Sequence, residues 1–119
     1  MHWHKLNDIN QLTEIMFISN KHSSENLAVL LFKHSTRCSI SALALNRLES
    51  KWRDDKRCPA YYLDLLNHRN ISNEISSLFN IEHASPQVLL IKNGKCFYTA
   101  SHTDISTNHI LEAISIQTQ

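Results

Sequence analysis

Six consecutive apolar residues, Leu27-Ala28-Val29-Leu30-Leu31-Phe32, run without a break into the polar string Lys33-His34-Ser35-Thr36-Arg37-Cys38-Ser39-Ile40-Ser41. An apolar run without alternation is what a central strand needs when both of its faces are covered. From Ser39 the period changes. Ile40, Leu43, Ala44, Leu48 and Trp52 share one face of a predicted helix, with Asn46, Arg47, Glu49 and Lys51 largely on the other. Cys38 therefore stands where a buried strand passes into a helix. Unpaired helix N–H groups and a basic neighbour at such a position both favour the thiolate over the thiol. Ser41 follows three residues later, where a dithiol redox site would carry its second cysteine.

The remaining pattern supplies alternating elements. Ile9, Leu12, Ile15 and Met16 recur at helical spacing behind Asn7-Asp8, either of which can cap a first helix, and the polar stretch Asn20 to Asn26 ends it. Ala60 to Leu66 reads as a second central strand after Pro59, and Ile75, Leu78 and Phe79 predict a short helix over Ser72 to Phe79. Pro86 to Lys92 and Lys95 to Ala100 flank Asn93-Gly94, a hairpin signal because both residues tolerate positive φ. Ile105, Ile110, Leu111 and Ile114, behind Asp104 or Ser106, give a closing helix. The order α-β-α-β-α-β-β-α predicts a four-stranded mixed sheet with helices on both faces, in one domain spanning residues 1–119.

Several function classes are excluded by what the chain lacks. Twelve basic against eleven acidic residues leave a net charge of +1, so no strong field draws it to nucleic acid or an anionic membrane. Its longest apolar run is far shorter than the roughly 20 residues that span a bilayer. The start, Met1-His2-Trp3-His4-Lys5, has no signal-peptide pattern, and a cytoplasmic protein is expected. Cys38, Cys58 and Cys96 show no close pairing, which suits a reducing compartment. Gly94 is the only glycine, which rules out Gly-rich phosphate loops. The histidines His2, His4, His22, His34, His68, His83, His102 and His109 are scattered without a metal-ligand spacing, so no metal is expected.

With a cysteine opening the helix after the first strand, this order resembles the thioredoxin fold. Leu78-Phe79-Asn80-Ile81 and then Ala84-Ser85-Pro86-Gln87-Val88-Leu89-Leu90-Ile91-Lys92-Asn93-Gly94-Lys95 are similar to the thioredoxin segment in which a short helix leads to a cis-proline, a strand and an Asn-Gly hairpin. More narrowly, Lys33 to Ser41 resembles the YtxJ-like proteins, the monothiol bacilliredoxins of the bacillithiol system. That family carries proline after the cysteine, where this chain has Ser39. The resemblance implies a cis Ser85-Pro86 bond, with Ser85 backbone groups beside Cys38 and able to pair with an extended substrate as an added strand. It also implies bacillithiol as a low-molecular-weight co-substrate thiol, S-thiolated proteins as clients, and no bound cofactor.

Each site residue has two readings. Cys38 is a reactive nucleophile or a small buried apolar residue. Ser41 cannot resolve a mixed disulfide; its hydroxyl donates to the thiolate or pairs with backbone in the first helical turn. Arg37 stabilises the thiolate and receives ligand carboxylates, or is a solvated surface residue. Lys33 and His34 follow the strand end and add to a positive rim, or His34 is a neutral, hydrogen-bonded structural residue. Thr36 contacts the ligand or caps the loop, and Ser85-Pro86 either presents backbone to substrate or opens an edge strand. Cys58 and Cys96 are expected away from Cys38. The resulting function is monothiol exchange at Cys38. A thioredoxin-fold binding or adaptor domain, or an iron–sulfur carrier of the monothiol-glutaredoxin kind, are the alternatives.

Overall fold

A computed structural model describes residues 1–20 and 27–117 of the chain. Nine longer elements follow in order: β1 (Trp3–Lys5), α1 (Gln11–Ser19), β2 (Val29–His34), α2 (Ser39–Lys51), β3 (Ala60–Asp64), α3 (Arg69–Phe79), β4 (Gln87–Lys92), β5 (Lys95–Ser101) and α4 (Thr107–Gln117), with a 3₁₀ turn at His102–Asp104. The sheet has five strands in the order β1-β3-β2-β4-β5, so the expected four strands were one too few. The missed strand is three residues long and lies parallel to β3, with Trp3 opposite Ala60. Trp3, His4 and Lys5 give no apolar run, because an edge strand needs to bury little.

β2 is central. It runs parallel to β3 and antiparallel to β4, and every one of its six residues is buried. Leu30 and Phe32 point into a core with Ala44, Leu48 and Trp52 of α2 and Ile110 and Ile114 of α4. Val29 and Leu31 point the other way, toward Leu12 and Ile15 of α1 and Ile71, Ile75 and Phe79 of α3. A strand sandwiched between two helix layers must be apolar on both faces, which explains the unbroken run.

The Asn93-Gly94 turn joins β4 to β5 with both residues at positive φ, 54° and 72°. A side chain at Gly94 would press on Met16, whose Cε lies 3.0 Å from where its Cβ would stand. The turn is also tied down, since Gly94 N–H donates to Ser19 Oγ at 3.0 Å and Asn93 N–H to Ser19 O at 2.7 Å.

Three helix assignments shift, and the simplest is α3, which starts at Arg69 rather than Ser72. α1 begins at Gln11, after Ile9, which is exposed; Gln11 Oε1 accepts from the backbone N–H groups of Asn7 and Asp8 and orders the turn before it. The end of the polar stretch after Asn20 lies outside the described residues. In α2 the buried face is Ser41, Ala44 and Leu48, while Ile40 and Leu43 are exposed at 42% and 46%. Ser41 is drawn inward by polar contacts, so the helix turns its small residues to the sheet and leaves two larger ones outside.

Candidate active site

The apolar run ends at Phe32, with Lys33 and His34 expected beyond the strand end, on a positive rim or, for His34, as a hydrogen-bonded structural residue. The strand instead continues through both, and they are only 1% and 5% exposed. Alternation sends them to opposite faces. Lys33 points toward α3, where Nζ donates to Ser72 O at 3.1 Å and to Ser76 Oγ at 3.2 Å and lies 3.3 Å from His83 Nδ1. Burial lowers the Lys33 amine to about 8. His34 points toward α2, stacked against Phe32 and tilted against Tyr62. Burial holds its imidazole below the usual histidine range, against the opposing pull of Asp64 and Glu49.

His34 Nδ1 lies 2.6 Å from Ser41 Oγ, and the Ser35 N–H donates to the same hydroxyl at 3.0 Å. With the imidazole proton on Nε2, Ser41 donates to Nδ1 while accepting from Ser35. Ser41 is fully buried. Of its two readings, the geometry gives the hydroxyl to backbone and histidine. His34 matches the reading of a hydrogen-bonded structural residue.

Past His34 the chain turns through Ser35, with Thr36 and Arg37 exposed. Cys38 N–H donates to Ser35 O at 3.1 Å and closes that turn. Cys38 is the N-cap of α2, in extended conformation at φ −108°, and its carbonyl accepts from Ala42 N–H at 3.0 Å. The thiol is partly exposed at a helix start, where the first-turn N–H groups have no partner within the helix.

The other two thiols differ. Cys58 is buried in the α2-side core, and burial, aided by Asp55, pushes its thiol up to about 12. Burial also raises Cys96, whose S–H donates to Tyr98 O at 3.2 Å. Low dielectric opposes the thiolate at both positions.

Ser85-Pro86 is cis and leads into β4. Because β4 is antiparallel to β2, with Gln87 opposite Lys33, this bond lies at the end of the sheet from which the chain leaves toward Cys38. The same end collects all three buried side-chain atoms without a hydrogen-bond partner among the described residues: Asp64 Oδ1, Ser85 Oγ and Gln87 Oε1. Buried acceptors left unpaired are costly, and their confinement to one edge marks it as built for something besides stability. On the α2 face this edge opens into a cleft of about 380 Å³ bordered by Trp3, Tyr62, Asp64 and His68. Sequence reasoning missed Asp64, Gln87 and His83. Asp64 ends β3 and Gln87 opens β4, each a polar residue beside an apolar strand; His83, in the connection between α3 and β4, has no such signal.

Among the described residues, no three His, Cys, Asp or Glu side chains are placed to hold a metal ion, and no helix is long and apolar enough to cross a membrane.

Comparisons with known proteins agree with this architecture. A solved structure described as a candidate oxidoreductase with a thioredoxin fold is 29% identical, at a TM-score of 0.73, over 93% of this chain and 92% of that one. Malassezia sympodialis thioredoxin matches in fold at a TM-score of 0.70 and 15% identity, over 97% of this chain and 90% of its own. Spinach chloroplast thioredoxin f, in its short form, gives 0.71 at 13% identity, over 98% and 94%. Residues 4–110 match the family model described as monothiol bacilliredoxin BrxC. The chain belongs to the monothiol bacilliredoxins, thiol–disulfide oxidoreductases built on the thioredoxin fold.

Proposed function

We propose that Cys38 is the exchanging thiol, and that it removes a low-molecular-weight thiol, bacillithiol by family likeness, from mixed disulfides on client proteins. The observation that carries this reading is the contrast among the three cysteines. Cys38 is partly exposed and caps α2, while Cys58 is buried and Cys96, half-buried on β5, donates its S–H to Tyr98 O; burial raises both of these thiols. A thiolate is the attacking species in exchange, and of the three cysteines Cys38 alone stands at a helix start.

In the forward step the Cys38 thiolate attacks the small thiol's sulfur in the mixed disulfide. The Cys38–small-thiol disulfide forms, the client's sulfur leaves as a thiolate, and water protonates it. A second small thiolate then attacks the small-thiol sulfur of the adduct. A symmetrical small disulfide forms and Cys38 leaves as a thiolate. The hydroxyl of Ser41 cannot resolve the adduct, which is why the second thiol must come from outside.

Arg37, exposed beside Cys38, is the cation available to a carboxylate on the small thiol; Lys33, buried on the other side of the sheet edge, is not. Thr36 borders the same turn. Ser85 and Pro86 present backbone to an extended client segment. Three free cysteines suit a reducing, cytoplasmic setting.

The test is stoichiometric. Mixed with excess thiolated client and no free small thiol, the protein releases one equivalent of client thiol and stops. Addition of the small thiol restores turnover, and Cys38→Ser releases none. Release by Cys38→Ser at the wild-type level overturns the assignment. No release by the wild type favours a binding or adaptor role.

A further inference from the structure

We propose that Lys33 and His83 form a clamp that fixes the Ser85–Pro86 segment at the Cys38 edge, making both of them positioning residues for a peptide-bearing client. This rests on the reading of Cys38 as the exchanging thiol. The clamp itself stands on geometry that does not depend on that reading.

Residues 80–86 connect α3 to β4 and end in the cis-proline. Two side-chain bonds tie this connection to the sheet. Lys33 Nζ, from the strand that leads to Cys38, lies 3.3 Å from His83 Nδ1, and Gln87 Nε2 donates to Glu82 O at 3.0 Å. Lys33 and Gln87 are themselves directly opposite in the β2–β4 ladder. The middle of the connection is thus pinned to the two strands it runs beside.

The lysine is fully committed to this task. An ammonium has three protons, and Ser72 O, Ser76 Oγ and His83 Nδ1 are three neutral acceptors within 3.3 Å. A buried cation served only by neutral acceptors costs stability compared with an apolar side chain of the same length. What Lys33 provides is a fixed link between α3, β2 and the connection.

The bond requires an unprotonated Nδ1 on His83, because an ammonium can only donate. Ser72 Oγ lies 3.2 Å from the same atom and turns its proton elsewhere, since Nδ1 has a single lone pair. Burial, together with Lys33 from β2 and Arg69 from α3, holds His83 below the usual histidine range. An extended client strand reads Ser85 through directed backbone hydrogen bonds. Such bonds weaken steeply when donor and acceptor drift from alignment. A small-molecule mixed disulfide, which has no extended backbone to pair with Ser85, does not sense this segment.

His83 is exposed, so His83→Ala removes the bond with little loss of packing. In that variant the amides of Ala84, Ser85 and Gln87 exchange with solvent at least about tenfold faster than in wild type, while those of β5 are unchanged. His83→Gln, which keeps an acceptor, restores most of the protection, and Lys33→Gln shifts the same amides as His83→Ala. With a thiolated peptide as substrate, His83→Ala raises KM at least about fivefold at nearly constant kcat. With a small-molecule mixed disulfide both constants stay within about twofold of wild type. Unchanged amide exchange in His83→Ala overturns the clamp, whatever the activity. Altered exchange with equal losses on both substrates overturns the client-positioning role. Wild type inert toward both substrates is a failure of the Cys38 reading and ends that role too, while the exchange data still decide the clamp.

Discussion

The two halves of β2 obey different rules. From Val29 to Phe32 the strand is apolar, buried on both faces, and packed against four helices. One step further, Lys33 and His34 are buried as deeply, yet each depends on specific hydrogen bonds to hydroxyls, a carbonyl and an imidazole. The first half is held by area removed from water, which is forgiving of chemistry. The second is held by directed polar contacts, which are not. Among the described residues, the buried side-chain atoms without a partner, Asp64 Oδ1, Ser85 Oγ and Gln87 Oε1, gather at the end where the strand changes from one rule to the other.

Substitutions on the two sides of this boundary should separate stability from chemistry. Leu30→Ala empties a fully buried position and is expected to cost about 3 kcal/mol in chemical denaturation, within the range for such truncations. Alkylation of Cys38 per folded molecule should be unchanged; a matching fall in reactivity would erase the distinction between the halves.

Lys33→Met should be gentler and depend on pH. The folded amine titrates at about 8 and the unfolded one near 10.5, so between these values the unfolded chain binds more protons. Wild-type stability therefore rises with pH relative to Lys33→Met across that window, by about 2 kcal/mol. The full shift would give ~3.4, lowered because water penetration softens such penalties. Parallel stability curves for the two proteins from pH 8 to 10.5 would show that Lys33 is not held in the way described.

Ser41→Ala leaves the Ser35 N–H and His34 Nδ1 without their shared partner, for a loss of about 1.5 kcal/mol. Cys38 still forms its adduct, because that hydroxyl is spent on histidine and backbone. Loss of the adduct at full stability would return Ser41 to the thiolate.

The smallest expected effect is on the acid side. His34 and His83 both titrate below the ordinary histidine value in the fold, so the unfolded chain takes up protons first. Stability therefore falls as pH drops below about 6.5. The double variant His34→Gln, His83→Gln should flatten that slope; an unchanged slope would mean that the two rings carry no polar cost.

Much of this was legible because apolar pattern encodes burial. The run at Leu27 to Phe32, the Asn93-Gly94 turn and the closing helix each have a signal that needs no tertiary knowledge, and the Ser35-to-Ser41 string marks the strand-to-helix junction where Cys38 caps α2. Lys33 and His34 escaped because composition reads a lysine and a histidine after an apolar run as surface. Only the acceptors at Ser72, Ser76, His83 and Ser41, distant in sequence, make their burial tolerable. β1 escaped for the opposite reason, being too short and too exposed to show a period. The face of α2 was misjudged because Ser41 is buried by polar contacts that hydrophobic spacing cannot register, leaving Ile40 and Leu43 outside.

The central claim is that the thiol at the start of α2 does the exchange while the buried Cys58 and the half-buried Cys96 of β5 stand aside. Peptide-mapped mass spectrometry, after brief exposure to a client carrying a small thiol, tests it directly. The account predicts the mass of the small thiol on Cys38, with Cys58 and Cys96 unmodified. An adduct on Cys58 or Cys96 with Cys38 bare would contradict it.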